Sequence, residues 1–264
     1  ETYKDESRVI LDGSGGDEIG AGYRYHILPW YLDMVSEDTN NLNSRFLKTI
    51  GTHESLSTNN FVLGSITNYL KPGMSTQDGS MFEKKGFLNS DFLKKFKSEE
   101  LLIKQPFKSH LRNAQYADFH YSKLPRSLRY TDRASMRSSV EARLPLLDHD
   151  VVEQCFQIPS KFKFLFSQDR IILKDLFKKN INQKILFKNK KTIADPQTAW
   201  IKKNLLGYIN DTLNSANFLS KDIINNNKVK IYIDKISKSE KHINSSFLIR
   251  ILLVEWWRKT IVNS

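Results

Sequence analysis

Leu11-Asp12-Gly13-Ser14-Gly15-Gly16-Asp17-Glu18, running on to Gly22-Tyr23, is the stretch on which the reading of this chain turns. The apolar run Arg8-Val9-Ile10-Leu11 leads into it and a helical pattern follows, so a strand, a glycine-rich turn and a helix start meet in a short span. The glycines let the backbone approach a ligand closely or take positive φ. The first free amides of a helix bind anionic oxygens. Asp17 and Glu18 place hard oxygen ligands beside such an anion, where a magnesium–phosphate complex needs them. The plain alternative is a tight strand-to-helix turn with acidic residues at the helix start. On the local pattern alone the plain alternative is favoured, because a short glycine turn is a weak signal.

Composition narrows the field. The chain has 264 residues, and 39% of them are apolar, enough for a real core. It is longer than the usual ~150 residues per domain, yet it reads as one large domain over residues 1–264. The net charge is +12, from 41 basic and 29 acidic residues. The lysines are scattered and no zinc-finger spacing or aromatic-plus-basic stripe stands out, so no nucleic-acid partner is expected. The excess of positive charge suits a solvated surface and helps hold polyphosphate. Cys155 is the single cysteine. It excludes an intramolecular disulfide and a thiolate zinc cluster, and its apolar surroundings, Val151 to Phe156, mark it as a buried structural thiol. No signal-peptide pattern opens the chain, and the apolar stretch from Phe247 to Trp257 is broken by Arg250 and Glu255. No membrane role and a cytoplasmic, reducing setting are expected.

Along the chain, Ile19 to Tyr25 is expected to be helical, with Pro29 ending or kinking that helix. Glu37 to Asn43 reads as a loop, Leu42 to Ile50 and Asn60 to Leu70 as short helices, and Lys71-Pro72-Gly73 as a stop. Met74 to Asn89 reads as an exposed connection. The spacing of Phe107, Leu111, Ala114 and Ala117 predicts a helix over Pro106 to Ser122, and another is expected over Arg126 to Ser138. Leu144-Pro145-Leu146 reads as an extended turn, and Asp148 as the cap of a helix through Phe156. A helix is expected over Asp169 to Asn180, another from Pro196 through Ile209, and a loop at Asn225-Asn226-Asn227. Ser245 or Ser246 would cap the final helix, whose apolar face takes in Leu248, Ile251, Leu252 and Trp256. The expected class is therefore α/β and strongly helix-rich. Its one strong strand lacks a partner of comparable strength, although strands need neighbours.

A second segment lifts the glycine turn above the plain reading. Leu124-Pro125-Arg126-Ser127-Leu128-Arg129-Tyr130-Thr131-Asp132-Arg133-Ala134-Ser135-Met136 leads on to Val140-Glu141-Ala142-Arg143-Leu144-Pro145-Leu146-Leu147-Asp148-His149. With the glycine stretch, it resembles the synthetase domain of the class B, glutamine-hydrolysing asparagine synthetases. That family carries Gly-x-Gly-x-Asp-Glu-x-x-x-Gly-Tyr, then Asp-Arg-x-Ser-Met, Glu-Ala-Arg-x-Pro-x-Leu-Asp, and a late Arg-x-Lys-x-Gly-Phe-x-x-Pro-x-x-x-Trp. Here the last reads Lys188-Asn189-Lys190-Lys191-Thr192-Ile193-Ala194-Asp195-Pro196, with Trp200 in place. Leu252-Leu253-Val254-Glu255-Trp256-Trp257 is similar to the family's end.

The resemblance implies the C-terminal portion of an adenine-nucleotide α-hydrolase-like (ATP pyrophosphatase) domain. It implies ATP and Mg2+ as cofactors, aspartate or another carboxylate as substrate, and ammonia from glutamine through a glutaminase domain. It allows a homodimer. Asp17 would be the magnesium ligand. Asp12, Gly13, Gly15 and Gly16 would line the ATP site, and Lys190 would contact phosphate. Arg143 would sit near the active site, while the Glu141–Arg143 pair reads equally as a buried structural bridge. The family's catalytic cysteine and its Ser-Gly-Gly-x-Asp-Ser pyrophosphate loop have no match in residues 1–264. The chain is therefore read as the C-terminal part of a longer enzyme, with no turnover expected of it in isolation.

Ser14 departs from the family, which usually carries a glutamate there in its asparagine-forming members. Serine takes up no proton near neutral pH without a base beside it, and Asp12 is the residue placed to compensate. Lys188 for arginine and Thr192-Ile193 for Gly-Phe depart as well. These changes keep two other readings open: a related enzyme acting on a peptide or surface-sugar carboxylate, as in lasso-peptide and β-lactam ring closure, and an inactive scaffold that retains the fold.

Overall fold

The computed structural model describes residues 7–37, 85–96, 103–164, 169–188, 197–238 and 246–262. Strand β1 is Val9–Leu11, followed by helices α1, Gly16–Gly20, and α2, Ile27–Glu37. Next come α3, Ser90–Lys95; α4, His110–His120; α5, Leu124–Met136; and strand β2, Glu141–Arg143. Helices α6, His149–Gln157; α7, Ile171–Phe177; and α8, Gln183–Leu186, follow. The last four are α9, Gln197–Trp200; α10, Leu206–Asn214; α11, Asn226–Lys238; and α12, Ser246–Trp257. The result is a helix-rich α/β chain with a small parallel sheet. Among the described residues no helix is long and apolar enough to cross a membrane.

The described residues fall into two compact units, one within Glu1–Met81 and Glu100–Lys190, the other within Phe82–Glu99 and Lys191–Ser264. In the first, β1 pairs in parallel with β2, with Val9 opposite Glu141 and Leu11 opposite Arg143. β1 thus has a neighbour, though not one with an apolar run of comparable strength. Glu-Ala-Arg is too short and too charged to announce itself as a strand, and its pairing depends on β1 rather than on its own apolar pattern.

The start of the chain differs from expectation in a second way. The helix after the glycine turn spans only Gly16–Gly20 and ends where Ala21 enters the left-handed region at φ 58°. A 3-10 turn over Arg24–His26 then leads into α2. Pro29 lies in the first turn of α2, where a missing N–H costs no helical hydrogen bond, so it opens this helix instead of ending one.

Helix α4 begins later than its apolar spacing alone suggests, because Ser109 caps it. The Ser109 hydroxyl accepts from the Arg112 amide at 3.1 Å. Asp33 of α2 reinforces that end, accepting from the His110 amide at 2.6 Å, the Leu111 amide at 3.2 Å and the hydroxyls of Ser109 and Ser160. One face of α4 buries Leu111, Ala114, Gln115 and Asp118. There Leu111 joins Ala21, Ile27, Trp30, Met34 and Phe164 in the apolar core. Asp118 is buried but well supplied, taking bonds from Tyr25 at 2.9 Å and Ser122 at 2.7 Å and lying 2.8 Å from His26 Nε2.

Helices α5, α6 and α7 begin close to where they are expected, whereas no helix is expected at α8. Pro125 opens α5, and Asp148 caps α6 by accepting from the Asp150 amide at 3.0 Å. Leu144-Pro145-Leu146 is not fully extended: Pro145–Leu147 forms a 3-10 turn. Cys155 is half-buried, and burial pushes its thiol pKa up, so it is an inert thiol.

The second unit has its own core, with Ile201, Ile209, Val229, Ile236, Leu248 and Ile251 at its centre. Asn225 ends no loop here; its side chain accepts from the Lys228 amide at 3.1 Å and starts α11, so Asn226 and Asn227 are helical. On α12 the expected apolar face is rotated. Leu248 and Ile251 are buried, but Trp256 is 60% exposed and Glu255 only 2%. Glu255 accepts from the Leu219 amide at 2.9 Å, the Ser220 amide at 3.0 Å and the Ser220 hydroxyl at 2.8 Å. A carboxylate so supplied is stable inside. Ser246 is the first helical residue of α12, while Ser245 lies outside the described residues. The expectations for residues 38–84 and for Pro196 also lie outside them.

Candidate functional site

The glycine turn is shaped by residues far along the chain. The Asp12 amide donates to the Arg143 carbonyl at 2.8 Å, continuing the β1–β2 pairing by one residue. The Asp12 carboxylate then accepts from the Ser14 amide at 2.7 Å, folding the chain back on itself. Gly15 follows in the left-handed region at φ 98°, and its carbonyl receives the Ile19 amide at 3.0 Å. Glycine is required at that position for two reasons. Other residues are strained at this φ, and a Cβ on Gly15 would overlap the Leu147 side chain. Leu146 packs in the same way beside Gly16, where a Cβ would lie 3.1 Å from its Cδ1. The two motif-bearing segments, 11–23 and 140–149, are thus locked together in one place.

Asp17 and Glu18 part company on α1. Asp17 is partly exposed, 24% in its side chain, while its Oδ1 is turned in towards Gly22 and pairs with Arg170 Nη1 at 3.2 Å. Glu18 turns inward and is buried, accepting from the Tyr23 hydroxyl at 2.6 Å. Burial and the bond to Glu18 push the Tyr23 pKa far up, so Tyr23 remains a phenol and a donor. Of the two neighbouring carboxylates, Glu18 is committed inside and Asp17 alone keeps part of its side chain exposed. Helix α1 is held from below by Gln115, whose side-chain amide donates to the carbonyls of Glu18 at 2.6 Å and Ile19 at 2.8 Å. Gln115 is itself fixed by the buried Lys163, which donates to its Oε1 at 2.7 Å.

The other candidates are distributed as follows. Asp12, Gly13, Ser14, Gly15 and Gly16 lie together on the turn, with Gly13 exposed and nothing within 4 Å of where its Cβ would be. Arg143 joins them through its carbonyl. Its side chain is exposed and binds Glu141, Nε to Oε1, at 3.0 Å, so this pair is a surface bridge and not a buried one. Each charge favours the other: the Glu141 pKa falls and the Arg143 pKa rises. Lys190 lies outside the described residues, and Trp200 is described and exposed.

Arg170, Leu147, Gln115 and Lys163 all support this site and none stands out in the sequence. Leu147 lies within a motif, yet its role is to press on a glycine more than a hundred positions away. Arg170 has no local signature beyond its acidic neighbour Asp169.

The asparagine synthase family model matches residues 1–259. No curated protein and no solved structure matches the chain. A match over almost the whole length, falling on the two segments that the fold locks together, settles the assignment: this chain belongs to the asparagine synthase family.

Proposed function

We propose that the chain is the synthetase part of an ATP-dependent amide-forming ligase that adenylates the side chain of aspartate and transfers ammonia to it. The reading includes the adenine-nucleotide α-hydrolase-like fold and a pyrophosphate loop and glutaminase supplied from outside residues 1–264. A carboxylate is a poor electrophile. Adenylation gives it a good leaving group, and the pyrophosphate released carries charge that the site must stabilise. The observation that carries the reading is Asp17, a partly exposed carboxylate at the end of a glycine turn whose backbone is pinned by Leu147 and Arg143.

The family's chemistry calls for magnesium, and this donor set fits it. Magnesium is commonly held by one or two carboxylates plus phosphate oxygens and waters, and Asp17 offers one carboxylate while Glu18 is committed to Tyr23. A bound magnesium would supply charge stabilisation for departing pyrophosphate. The chain's own contribution is to leave the turn open at Gly13 and to fix Asp17 at the head of α1 by anchoring that helix from beneath. Lys190 is assigned to the phosphates by its motif.

Asp17→Asn in the full-length enzyme is expected to lower aspartate-dependent ATP–pyrophosphate exchange by ~100-fold at limiting magnesium, the scale on which a single charge-stabilising group acts. Ammonia is supplied so that glutaminase activity plays no part. An unchanged exchange rate removes Asp17 from the site and the reading with it.

A second reading, in which another carboxylate replaces aspartate, is favoured by Ser14. Its backbone amide is bonded to the carboxylate of Asp12, so an acid already stands beside this position of the turn. On this reading the enzyme forms little free asparagine, and Ser14→Glu raises its formation. Competent conversion of aspartate by the unmodified enzyme, undiminished in Asp12→Asn, rejects it.

A further inference from the structure

Arg170 is an unusual residue at an unusual place. Its backbone is in the left-handed region at φ 51°, which residues other than glycine rarely adopt. Such a conformation persists only where the surroundings enforce it. Here the side chain lies across α1 over two glycines. A Cβ on Gly20 would come within 3.2 Å of Arg170 Cγ, and one on Gly22 would come within 2.8 Å of Arg170 Cδ and collide with the Asp17 carboxylate. Gly20 and Gly22 therefore make the bed in which the Asp17–Arg170 pair lies. The guanidinium is steered from behind by Asp169, Nε to Oδ1 at 3.2 Å, and Asp169 is held in turn by Lys174 at 3.3 Å. The Arg170 side chain keeps 31% of its surface exposed.

A salt bridge that served stability alone would gain little at this exposure. It would not call for a left-handed arginine and two bare glycines. The arrangement makes sense for a cation that must leave and be received nearby. The guanidinium lies against Asp17 Oδ1, which is turned in towards Gly22, so a divalent cation reaching the exposed part of the carboxylate competes with it for the same negative charge. Once displaced, the guanidinium has the planar fork that suits phosphate oxygens. We propose that Arg170 is a nucleotide-binding residue of this site: it neutralises Asp17 while the site is empty and passes to the phosphates when a divalent cation takes Asp17. This rests on the reading of Asp17 as the metal ligand.

The test is binding, not turnover. Mn2+ alone is titrated into the full-length protein and followed by loss of the free-ion electron paramagnetic resonance signal. The variants are Arg170→Gln, Arg170→Gly and Asp17→Asn. Glycine is included because it suits the left-handed backbone and protects the fold, which circular dichroism confirms. Relief from competition is expected to tighten Mn2+ binding about fivefold in both Arg170 variants, the scale of a partly exposed ion pair. Both should weaken binding of α,β-methylene-ATP, measured calorimetrically at saturating Mn2+, by about tenfold, the scale of one charge-assisted phosphate contact. Unchanged or weaker Mn2+ binding in the folded Arg170 variants, or undiminished binding of the analogue, overturns the proposal while leaving Asp17 in place. Undiminished Mn2+ binding in Asp17→Asn overturns the parent reading and this proposal together.

Discussion

Gly15→Val is expected to lower the stability of the first unit by about 2–5 kcal/mol, read as a shift in its denaturant midpoint. Two costs add. A non-glycine residue in the left-handed region costs roughly 1–2 kcal/mol, and forcing a side chain into the space of Leu147 costs roughly 1–3 kcal/mol. The two are separable. Gly15→Ala combined with Leu147→Ala should recover the steric part and retain the conformational part. If Gly15→Val unfolds at the midpoint of the parent protein, the turn does not have the shape described, because no other arrangement accommodates valine there at no cost.

The second large effect concerns pH. Lys163 is buried, and burial pulls its pKa from an ordinary 10.5 down to about 7, with the positive charge of Arg112 adding to the pull and Cys155 and Asp33 opposing it. Its ammonium has Gln115 Oε1 as acceptor and the ring of Phe156 at 5.7 Å. Between pH 7 and 10.5 the unfolded chain holds a proton that the folded chain has released. Stability therefore rises with pH through that window, by up to about 1.4 kcal/mol per unit for this one group. Below pH 7 both states are protonated and the full cost of the buried charge persists. Lys163→Met removes the group, so the difference in stability between the variant and the parent should favour the variant most below pH 7 and shrink steadily towards pH 10. Parallel pH profiles for the two proteins would mean that Lys163 titrates normally.

What could be read from the sequence was what local chemistry decides. Val9–Leu11 is an apolar run bounded by glycine, Asp148 is a capping residue before a helical pattern, and Pro125 suits a first turn, so β1, α6 and α5 emerge near their predicted places. What could not be read depends on distant partners. β2 is a strand only because β1 lies beside it. Glu255 looks like the polar side of α12 until the amides of residues 219 and 220 supply its bonds. Asn226 looks like loop until Asn225 is recognised as the start of a helix. The same division holds at the site. Asp17 and the turn glycines are visible as a pattern, whereas the ion pair with Arg170, the inward rotation of Glu18 and the Gln115 anchor are products of tertiary packing.

The pairing of β1 with β2 also carries a consequence for biosynthesis. The ribosome releases Gly13 to Asp17 long before it reaches Glu141 to Leu147, which supply the carbonyl for Asp12 and the leucine against Gly15. A nascent chain that ends short of residue 140 holds every glycine and both carboxylates of the turn without the frame that shapes them. Closing so long a loop is slow compared with forming a helix, so α4 and α5 have time to form while the turn waits. The turn is thus assembled late, and its protection from protease in a growing chain should begin only once Leu147 has cleared the ribosome.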